Sequence, residues 1–301
     1  MIRLSLIIAT YNRSAQLAVT LRSVAAQQAP RGEWECVVVD NNSTDDTAAC
    51  VARFAAEHPS LSLRCVGELR QGLSYARNRG IAESRGELIA VIDDDERIVP
   101  GFVGAYLDFF DARPEAAAAG GPIVAEYPTG RPRWMSRWTE RPIANPMYFG
   151  SEARLFPAGR IPGGGNMAFR RSTVGLVGDF DPALGRSGRS LIGGEESDFF
   201  ERMRRRGLAV WYVPGAVMHH IIPAEKLTDD YFRRLCYNVG VSQRRRSEAA
   251  GRWGVVRALA VEALKWVATL LLVAAVRPVQ WRRLVLMRWR ITCGLAAPTE
   301  R

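Results

Sequence analysis

Short apolar runs alternate with segments of helical periodicity through the first hundred residues. RLSLIIAT is a continuous apolar run typical of a parallel strand covered on both faces, and WECVVVD is predicted as a second buried strand. LSLRCVG is predicted as a weaker third strand and ELIAVID as the fourth. Between the first two, Leu17, Leu21 and Val24 recur at helical spacing, and Ser14 precedes them as the predicted helix cap. The segments AACVARFAAEH and GLSYARNRGIAESRG are predicted as further helices. This alternation predicts an α/β fold with a parallel sheet flanked by helices.

The pattern becomes less regular after Pro100. GFVGAYLDFFDARP is predicted as a helix, and AAAAGGPIVAEY as a return of the chain to the sheet. Residues 128–165 are rich in Pro, Gly, Arg and Trp, and we predict a long irregular excursion, which in a compact domain is usually functional or mobile. NMAFRR and AVWYVPGAVMHH are predicted strands, with the helix SDFFERMRRRG between them.

The C-terminal segment has a different character. Its apolar core, Trp266 to Val276, follows Glu262 and Lys265, so it falls short of the roughly 20 apolar residues that a membrane-spanning helix needs. The next segment, VQWRRLVLMRWRITCG, places Trp281, Val285 and Trp289 four residues apart among arginines. A basic helix with such a stripe is typical of a helix lying on a membrane surface. The alternative is a helical pair docked on the protein's own core.

Composition narrows the classes of protein. The chain has 301 residues and a net charge of +10, which favours nucleic acid or an anionic membrane as partner, or else reflects a solvated basic face. Its five cysteines are scattered without a CxxC pair, which argues against a disulfide framework or a zinc knuckle and for a reducing cytoplasm. The start, MIRLSLIIATYNRS, is not a signal peptide, so we expect a cytoplasmic location.

Three predicted strands end in polar residues, beginning at Thr10, Asp40 and Asp93. Ligands bind beyond the carboxyl ends of the strands in open parallel sheets, so these residues predict a polar crevice. No GxGxxG follows the first strand, so dinucleotide binding is not supported. The run of acids from Asp93 to Asp95 is self-repelling, and a divalent cation would relieve the repulsion. Carboxylates spaced in this way suit Mg²⁺ or Mn²⁺, which in turn hold an anionic diphosphate.

The chain resembles a family 2 glycosyltransferase of the GT-A fold. The segments LSLIIATYNR, VVVDNNSTDDT, GLSYARNRGI, GELIAVIDDDE, GGGNMAFRR and GGEESDFFERMRRRG occur in that family's order and spacing. Together they cover roughly residues 3 to 222. The resemblance implies a mostly parallel central sheet flanked by helices, with the C-terminal helices as an appendage. We expect a GT-A domain over residues 1–250, with a nucleotide-binding half to residue 100 and an acceptor-binding half beyond it, followed by basic and apolar helices over 251–301.

The resemblance also implies individual roles. Asp93 and Asp95 match the two acids of the DxD motif, with Asp95 as the direct metal ligand and Asp93 nearer the ribose, while Asp94 occupies the variable position. Gly165, after two further glycines, would let the backbone approach the donor sugar or the acceptor. The full set implied to bind the nucleotide sugar is Thr10, Tyr11, Asn12, Asp40, Arg77, Asn78, Asp93, Gly165 and Asn166.

GGEESDF matches the family's acidic pair that supplies the general base. The second acid is Glu196 where the family has Asp, and Glu195 is the alternative; both could instead merely favour a helix N-terminus. Of the two histidines in AVMHH, we expect one at the metal site, His219 before His220, because adjacent residues of a strand point to opposite faces.

The resulting hypothesis is a metal-dependent, inverting transfer of a sugar from a nucleotide-diphosphate sugar to an acceptor hydroxyl, in the synthesis of envelope polysaccharide or glycolipid. The expected cofactor is Mg²⁺ or Mn²⁺, and the expected donor is first a UDP-sugar. The expected acceptor is a saccharide or a lipid-linked one, with peripheral contact to the inner face of an anionic membrane and no nucleic acid. The alternatives are a nucleotidyltransferase, although ATYNRSAQ lacks a glycine- and lysine-rich phosphate loop, and a non-enzymatic basic protein.

Overall fold

The computed structural model describes residues 1–188, 191–249, 251–272 and 277–298, except for the side chain of residue 252. The strands are β1 Leu4–Thr10, β2 Trp34–Asp40, β3 Leu63–Gly67, β4 Leu88–Asp93, β5 Glu96–Ile98, β6 Ala118–Gly120, β7 Ile123–Glu126, β8 Arg154–Leu155, β9 Met167–Arg170, β10 Val210–Tyr212 and β11 Met218–Ile221. The helices are α1 Ser14–Ala25, α2 Thr47–Glu57, α3 Leu73–Glu83, α4 Phe102–Ala112, α5 Arg137–Ala144, α6 Arg171–Val177, α7 Glu195–Arg205, α8 Asp229–Ala249, α9 Arg252–Leu271 and α10 Pro278–Ala296, with a short 3-10 helix over Ala224–Leu227.

Two compact units make up the chain. The first comprises Met1–Ala125, Pro146–Gly185 and Glu195–Ile221. The second comprises Glu126–Asn145, Arg186–Gly194 and Ile222–Arg301. Helix α8 therefore groups with α9 and α10 in the second unit, while the domain boundary at residue 250 stays a prediction.

The central sheet has the strand order β3-β2-β1-β4-β9-β6-β10-β8 in the described residues. Strands β3, β2, β1 and β4 are mutually parallel, as predicted, and β9 enters antiparallel between β4 and β6. A smaller sheet has the order β5-β11-β7, with β11 antiparallel to β5. The predicted α/β architecture with a mostly parallel sheet is confirmed.

Side chains of the central strands alternate between two apolar cores. Leu6 and Ile8 of β1 face a core that includes residues of α1, α2 and α4. Ile7 and Ala9 of the same strand face the other core, which includes residues of α3 and α7. Because both faces of the strands are covered, their sequences are continuously apolar rather than alternating.

Two local predictions are wrong. Ser14 is the first residue of α1, with no side-chain capping bond at the preceding position. Its backbone N–H instead donates to Oδ2 of Asp45 (3.1 Å), so the next loop along the sheet satisfies the helix end. The stretch 128–165 is not wholly irregular, because α5 lies within it, capped by Ser136. Pro142 and the basic residues around it hide this helix in the sequence.

In the second unit, α10 packs against α8 through small residues. A Cβ at Gly240 would lie 2.1 Å from the Ile291 carbonyl oxygen, so only glycine permits this approach. The stripe predicted on the surface of α10 is divided: Trp281 and Val285 are half-buried and Trp289 is exposed. Part of the predicted apolar core, residues 273–276, lies outside the described residues. Among the helices that are described, none has the length and apolar composition that crossing a bilayer requires.

Candidate active site

The polar ends of three parallel strands lie side by side. Thr10 of β1 is in register with Asp40 of β2, and the neighbouring Ala9 is in register with Asp93 of β4. The residues expected to line a crevice at the carboxyl edge of the sheet therefore lie side by side, although they are far apart in the sequence.

An acidic group lies at the end of β4. Carboxylate oxygens of Asp93, Asp95 and Glu96 all lie within 4.8 Å of one another. Oε2 of Glu96 also accepts a hydrogen bond from the Asp93 backbone N–H (2.8 Å), which closes the turn between β4 and β5. Burial, and then the charges of Asp93 and Asp95, raise the pKa of Glu96 well above its usual value.

Glu96 is a member of the site that the sequence analysis did not identify. Its only signal was a fourth acid directly after the three aspartates. The place of its carboxyl depends on Gly165, because a Cβ there would lie 1.9 Å from Oε1 of Glu96. The glycine expected to admit a ligand thus admits a protein carboxylate.

Asp94, the middle acid, points to different partners. It accepts hydrogen bonds from Oγ1 of Thr10 (2.8 Å) and from Nη1 of Arg13 (2.9 Å). Burial raises the pKa of Asp94 to about 6, although Arg13 opposes this shift. Arg13 also lies 3.3 Å from Oδ2 of Asp95. Part of the repulsion among the three aspartates is therefore relieved by a protein cation that the sequence analysis missed.

Arg77 joins the acidic group to the first turn of α7. Its side chain is 1% exposed, and it donates to Oε1 of Glu195 (2.7 Å), Oδ1 of Asp93 (3.0 Å) and the carbonyl of Gly164 (3.0 Å). The residue predicted to reach the nucleotide is thus a buried bridge between two carboxylates. Its helical position gave no indication of these partners.

The two glutamates of α7 differ in environment. Glu195 is 3% exposed, and burial together with the charge of Glu196 raises its pKa to about 8, against the lowering effect of Arg77. Glu196 is half-buried, and its carboxyl carbon lies 3.6 Å from the position that a Cβ would take at Gly164. Of the pair, Glu196 is the one with access to solvent.

Two predicted binding amides hold loops together. Asn78 donates to the carbonyl of Phe180 (2.8 Å) and accepts from its N–H (3.0 Å). Asn166 is fully buried, donates to the carbonyls of Pro122 and Ala216, and accepts from the Tyr106 hydroxyl (2.6 Å). A role for these residues at the donor stays a prediction.

The other predicted binding residues at the ends of β1 and β2 lie in two loops that bond to each other. Asn12 has a left-handed backbone (φ 52°), and its Oδ1 accepts from the N–H groups of Thr44 (2.7 Å) and Asp45 (3.2 Å). Oδ1 of Asp40 accepts from the Ser43 N–H (2.9 Å). Tyr11 is exposed between them. Asn12 thereby joins the first two loops, and the Tyr11 ring beside it is exposed to solvent.

The two predicted histidines lie on β11 of the small sheet, which fixes their directions. His220 pairs with Glu96 in register, and its Nε2 lies 3.7 Å from Oδ1 of Asp95. Because neighbouring strand residues point to opposite faces, His219 belongs to the other face. His220 thus lies beside an acid of the group, and the expectation that His219 serves the metal site stays a prediction.

The donor set suits a hard divalent cation. Asp93, Asp95 and Glu96 offer carboxylate oxygens, and the Asp93 side chain is 38% exposed, which leaves the group open to solvent. Mg²⁺ and Mn²⁺ prefer such oxygens, and Mg²⁺ keeps coordination places for waters and phosphates. The residues therefore fit the cofactor that the sequence predicts, although the identity of the ion is not defined by them.

The sequence profile described as Glycosyl transferase family 2 matches residues 5–175, more than half of the chain. The chain belongs to glycosyltransferase family 2. One relative, the succinoglycan biosynthesis protein ExoM of Rhizobium meliloti, is 32% identical over 226 residues, covering 73% of this chain and 67% of the relative. The glucosyl-dolichyl phosphate glucuronosyltransferase of Haloferax volcanii is 27% identical over 228 residues, covering 72% and 69%.

Solved structures show that this glycosyltransferase has the GT-A fold. A mannosyltransferase from Pyrobaculum calidifontis, in complex with GDP-Man and Mn²⁺, aligns with a TM-score of 0.64 at 20% identity, covering 97% of this chain and 85% of that one. The S. aureus protein TarS 1-349, in complex with UDP, aligns with a TM-score of 0.55 at 18% identity, covering 80% and 65%. Family membership leaves the nucleotidyltransferase and the non-enzymatic alternatives without support.

Proposed function

We propose that this glycosyltransferase moves a sugar from a nucleotide-diphosphate sugar to an acceptor hydroxyl, with inversion and with help from a divalent metal. One observation carries the proposal: Arg77 connects the acidic group at the end of β4 with the glutamate pair of α7. A cation site for the donor's diphosphate and a base for the acceptor's hydroxyl would thus belong to one connected cluster. These are the two functions that a direct displacement requires.

Glu196 is the proposed general base. Its carboxylate would accept the hydroxyl proton of the acceptor as the oxygen forms a bond to the anomeric carbon and the bond to the diphosphate breaks. Glu195 is less suited, because Arg77 bonds to it and it is buried. A positioned base contributes about 10²–10⁴-fold to rate. Glu195 and Arg77 would fix the orientation of Glu196 and Asp93.

Asp95 and Asp93, together with Glu96 and His220, are the proposed metal-site residues. A bound Mg²⁺ or Mn²⁺ would supply Lewis-acid stabilisation to the diphosphate that leaves. Arg13 would hold Asp94 and Asp95 in place for this purpose, through its contacts of 2.9 and 3.3 Å. Thr10, Tyr11, Asn12 and Asp40 would form the pocket for the base and ribose.

The proposed donor is a UDP-sugar, and the proposed acceptor is a saccharide, either free or lipid-linked. Support for the donor comes from a structural neighbour in complex with UDP, although another holds GDP-Man. Support for the acceptor comes from relatives named for succinoglycan biosynthesis and for action on glucosyl-dolichyl phosphate. We also propose that the enzyme works at the inner face of the cell membrane.

A thermal-shift panel of nucleoside diphosphates, with and without Mn²⁺, tests donor and metal together. A ligand that binds the native state alone raises the apparent melting temperature, so one base should give a Mn²⁺-dependent shift that Asp95→Asn removes. If no diphosphate shifts the melting temperature in either condition, the proposal fails.

Glu196→Gln tests the base. We expect transfer to fall by about 10²-fold or more while the diphosphate-induced thermal shift is retained. Glu201→Gln is the matched control, because Glu201 lies on the same helix and pairs with Arg204 and Arg205 at the surface. Wild-type turnover by Glu196→Gln, with loss in Glu195→Gln, would transfer the role to Glu195.

A further inference from the structure

Helix α9 buries two polar side chains and leaves most of its apolar side chains exposed. Its most buried positions include Glu262 and Thr269, which are 1% and 3% exposed. On the opposite side, Leu264 and Leu271 are 70% and 76% exposed. A helix on the surface of a globular protein ordinarily has the reverse arrangement, with an apolar stripe facing the core.

Specific hydrogen bonds hold the inner side of α9 against α10. Glu262 accepts from Nη1 of Arg288 at 3.0 Å, and Nε1 of Trp266 donates to Oγ1 of Thr292 at 2.9 Å. Nε1 of Trp281 donates to the carbonyl of Thr269 at 3.0 Å. The helix is thus oriented by polar contacts, and its outward apolar side chains are not needed to attach it.

The outward residues form one continuous face. The helix turns by about 100° per residue, and the exposed apolar residues recur every three or four positions. Seen along the helix axis, their positions therefore lie within about 60° of a common direction, which is opposite to Glu262. This outer face of α9 consists of Trp253, Val256, Ala260, Leu264, Val267 and Leu271, all exposed. A contiguous apolar surface of this kind marks a site of interaction with a protein or a membrane.

Charge decides which occupant the face suits. Within residues 251–272 and 277–298 the single acidic residue is Glu262, which is buried and forms ion pairs with Arg288 and Lys265. The exposed charges of α9 and α10 are cations: Arg257, Lys265, Arg277 and Arg282. Pairing with the same face of a second copy would bring these cations together, whereas anionic lipid headgroups complement them.

We propose that the outer face of α9 is a docking surface for an anionic membrane. The helix would lie in the plane of the interface, with the outer face about 5–10 Å into the headgroup and acyl boundary. Arg257, at the edge of the outer face, would contact the headgroups, because long cationic side chains extend to the polar layer. The proposal concerns a surface apart from the catalytic residues, and its test requires neither donor nor acceptor.

The test is co-sedimentation of the full chain with vesicles of phosphatidylcholine alone and of phosphatidylcholine containing phosphatidylglycerol. We expect binding to the anionic vesicles, reduced by salt, and little binding to the neutral ones. The double variant Leu264→Gln, Leu271→Gln should bind about tenfold more weakly, which corresponds to about 1.4 kcal/mol. Arg257→Glu should weaken binding to the anionic vesicles as well.

The matched control is Leu69→Gln with Leu176→Gln, which removes two leucines of the first unit that are 82% and 55% exposed and should leave binding unchanged. Failure of the wild type to bind anionic vesicles, or equal binding to neutral ones, would overturn the proposal. So would unchanged binding by the Leu264, Leu271 variant. A dimer in the absence of lipid that the same variant dissociates would assign the face to a second copy instead.

Discussion

Replacement of Arg77 by methionine tests whether the buried bridge holds the site together. The methionine keeps much of the side chain's apolar volume and removes the guanidinium, which bonds to Glu195, Asp93 and the carbonyl of Gly164. Above about pH 8, where Glu195 ionises in the wild type, its carboxylate, which is 3% exposed, would then lack its cation. Such a stranded charge is far more costly than the loss of a surface ion pair.

The expected cost is about 3–5 kcal/mol of unfolding free energy where Glu195 is ionised, the usual result of removing one partner of a buried pair. The cost should depend on pH. The pKa of Glu195 is about 8 in the folded chain, raised by burial and by Glu196, while the unfolded chain ionises near the ordinary value for Glu.

The sign follows from proton binding. Between the unfolded and folded pKa values the folded state holds the proton, so stability falls as pH rises. In the wild type this fall ends above about 8, because Glu195 then ionises beside Arg77. Without Arg77 the pKa of Glu195 moves higher still, and the deficit of the variant should grow by about 1.4 kcal/mol for each pH unit above that point.

The assay is urea unfolding at about pH 6 and about pH 9, on the single variant and on Arg77→Met combined with Glu195→Gln. The double variant should recover part of the lost unfolding free energy at about pH 9, because Glu195→Gln removes the buried charge that has no partner. Arg79→Met is the control, since Arg79 lies on the same helix and pairs with Glu83 at the surface, where a loss below about 1 kcal/mol is expected. Equal losses in Arg77→Met and Arg79→Met, or a deficit independent of pH, would refute the reasoning.

Two substitutions test the loops. Gly165→Ala places a Cβ 1.9 Å from the Glu96 carboxylate, so we expect loss of the Mn²⁺-dependent thermal shift, whereas Gly104→Ala, with no atom within 4 Å, should stabilise the chain by about 0.5–1 kcal/mol. If Gly165→Ala retains the full shift, the glycine does not place Glu96. Asn12→Ala should cost about 2 kcal/mol in urea unfolding, because it removes the bonds to Thr44 and Asp45 and leaves a left-handed alanine. Asn12→Gly keeps the backbone unstrained, so it should lower the unfolding free energy by less. If both variants lose the same amount, the left-handed backbone at position 12 contributes no strain.

The sequence alone determined the sheet and the place of the site. Strands β1, β2 and β4 could be predicted because burial on both faces demands continuous apolar runs, and polar residues can begin only where that burial ends. The carboxyl edge of a parallel sheet then brings Thr10, Asp40 and Asp93 together without further information. These properties depend on neighbours in the chain, which the sequence displays directly.

The tertiary structure decided the partners of individual side chains. Arg77 meets Glu195 across 118 positions, and no local pattern can indicate which carboxylate a buried cation will find. The turn that brings Glu96 into the acidic group, the approach of His220 to Asp95 and the burial of Glu262 in α9 have the same origin. Each depends on which elements the topology packs together, and that selection is made by long-range burial rather than by local periodicity.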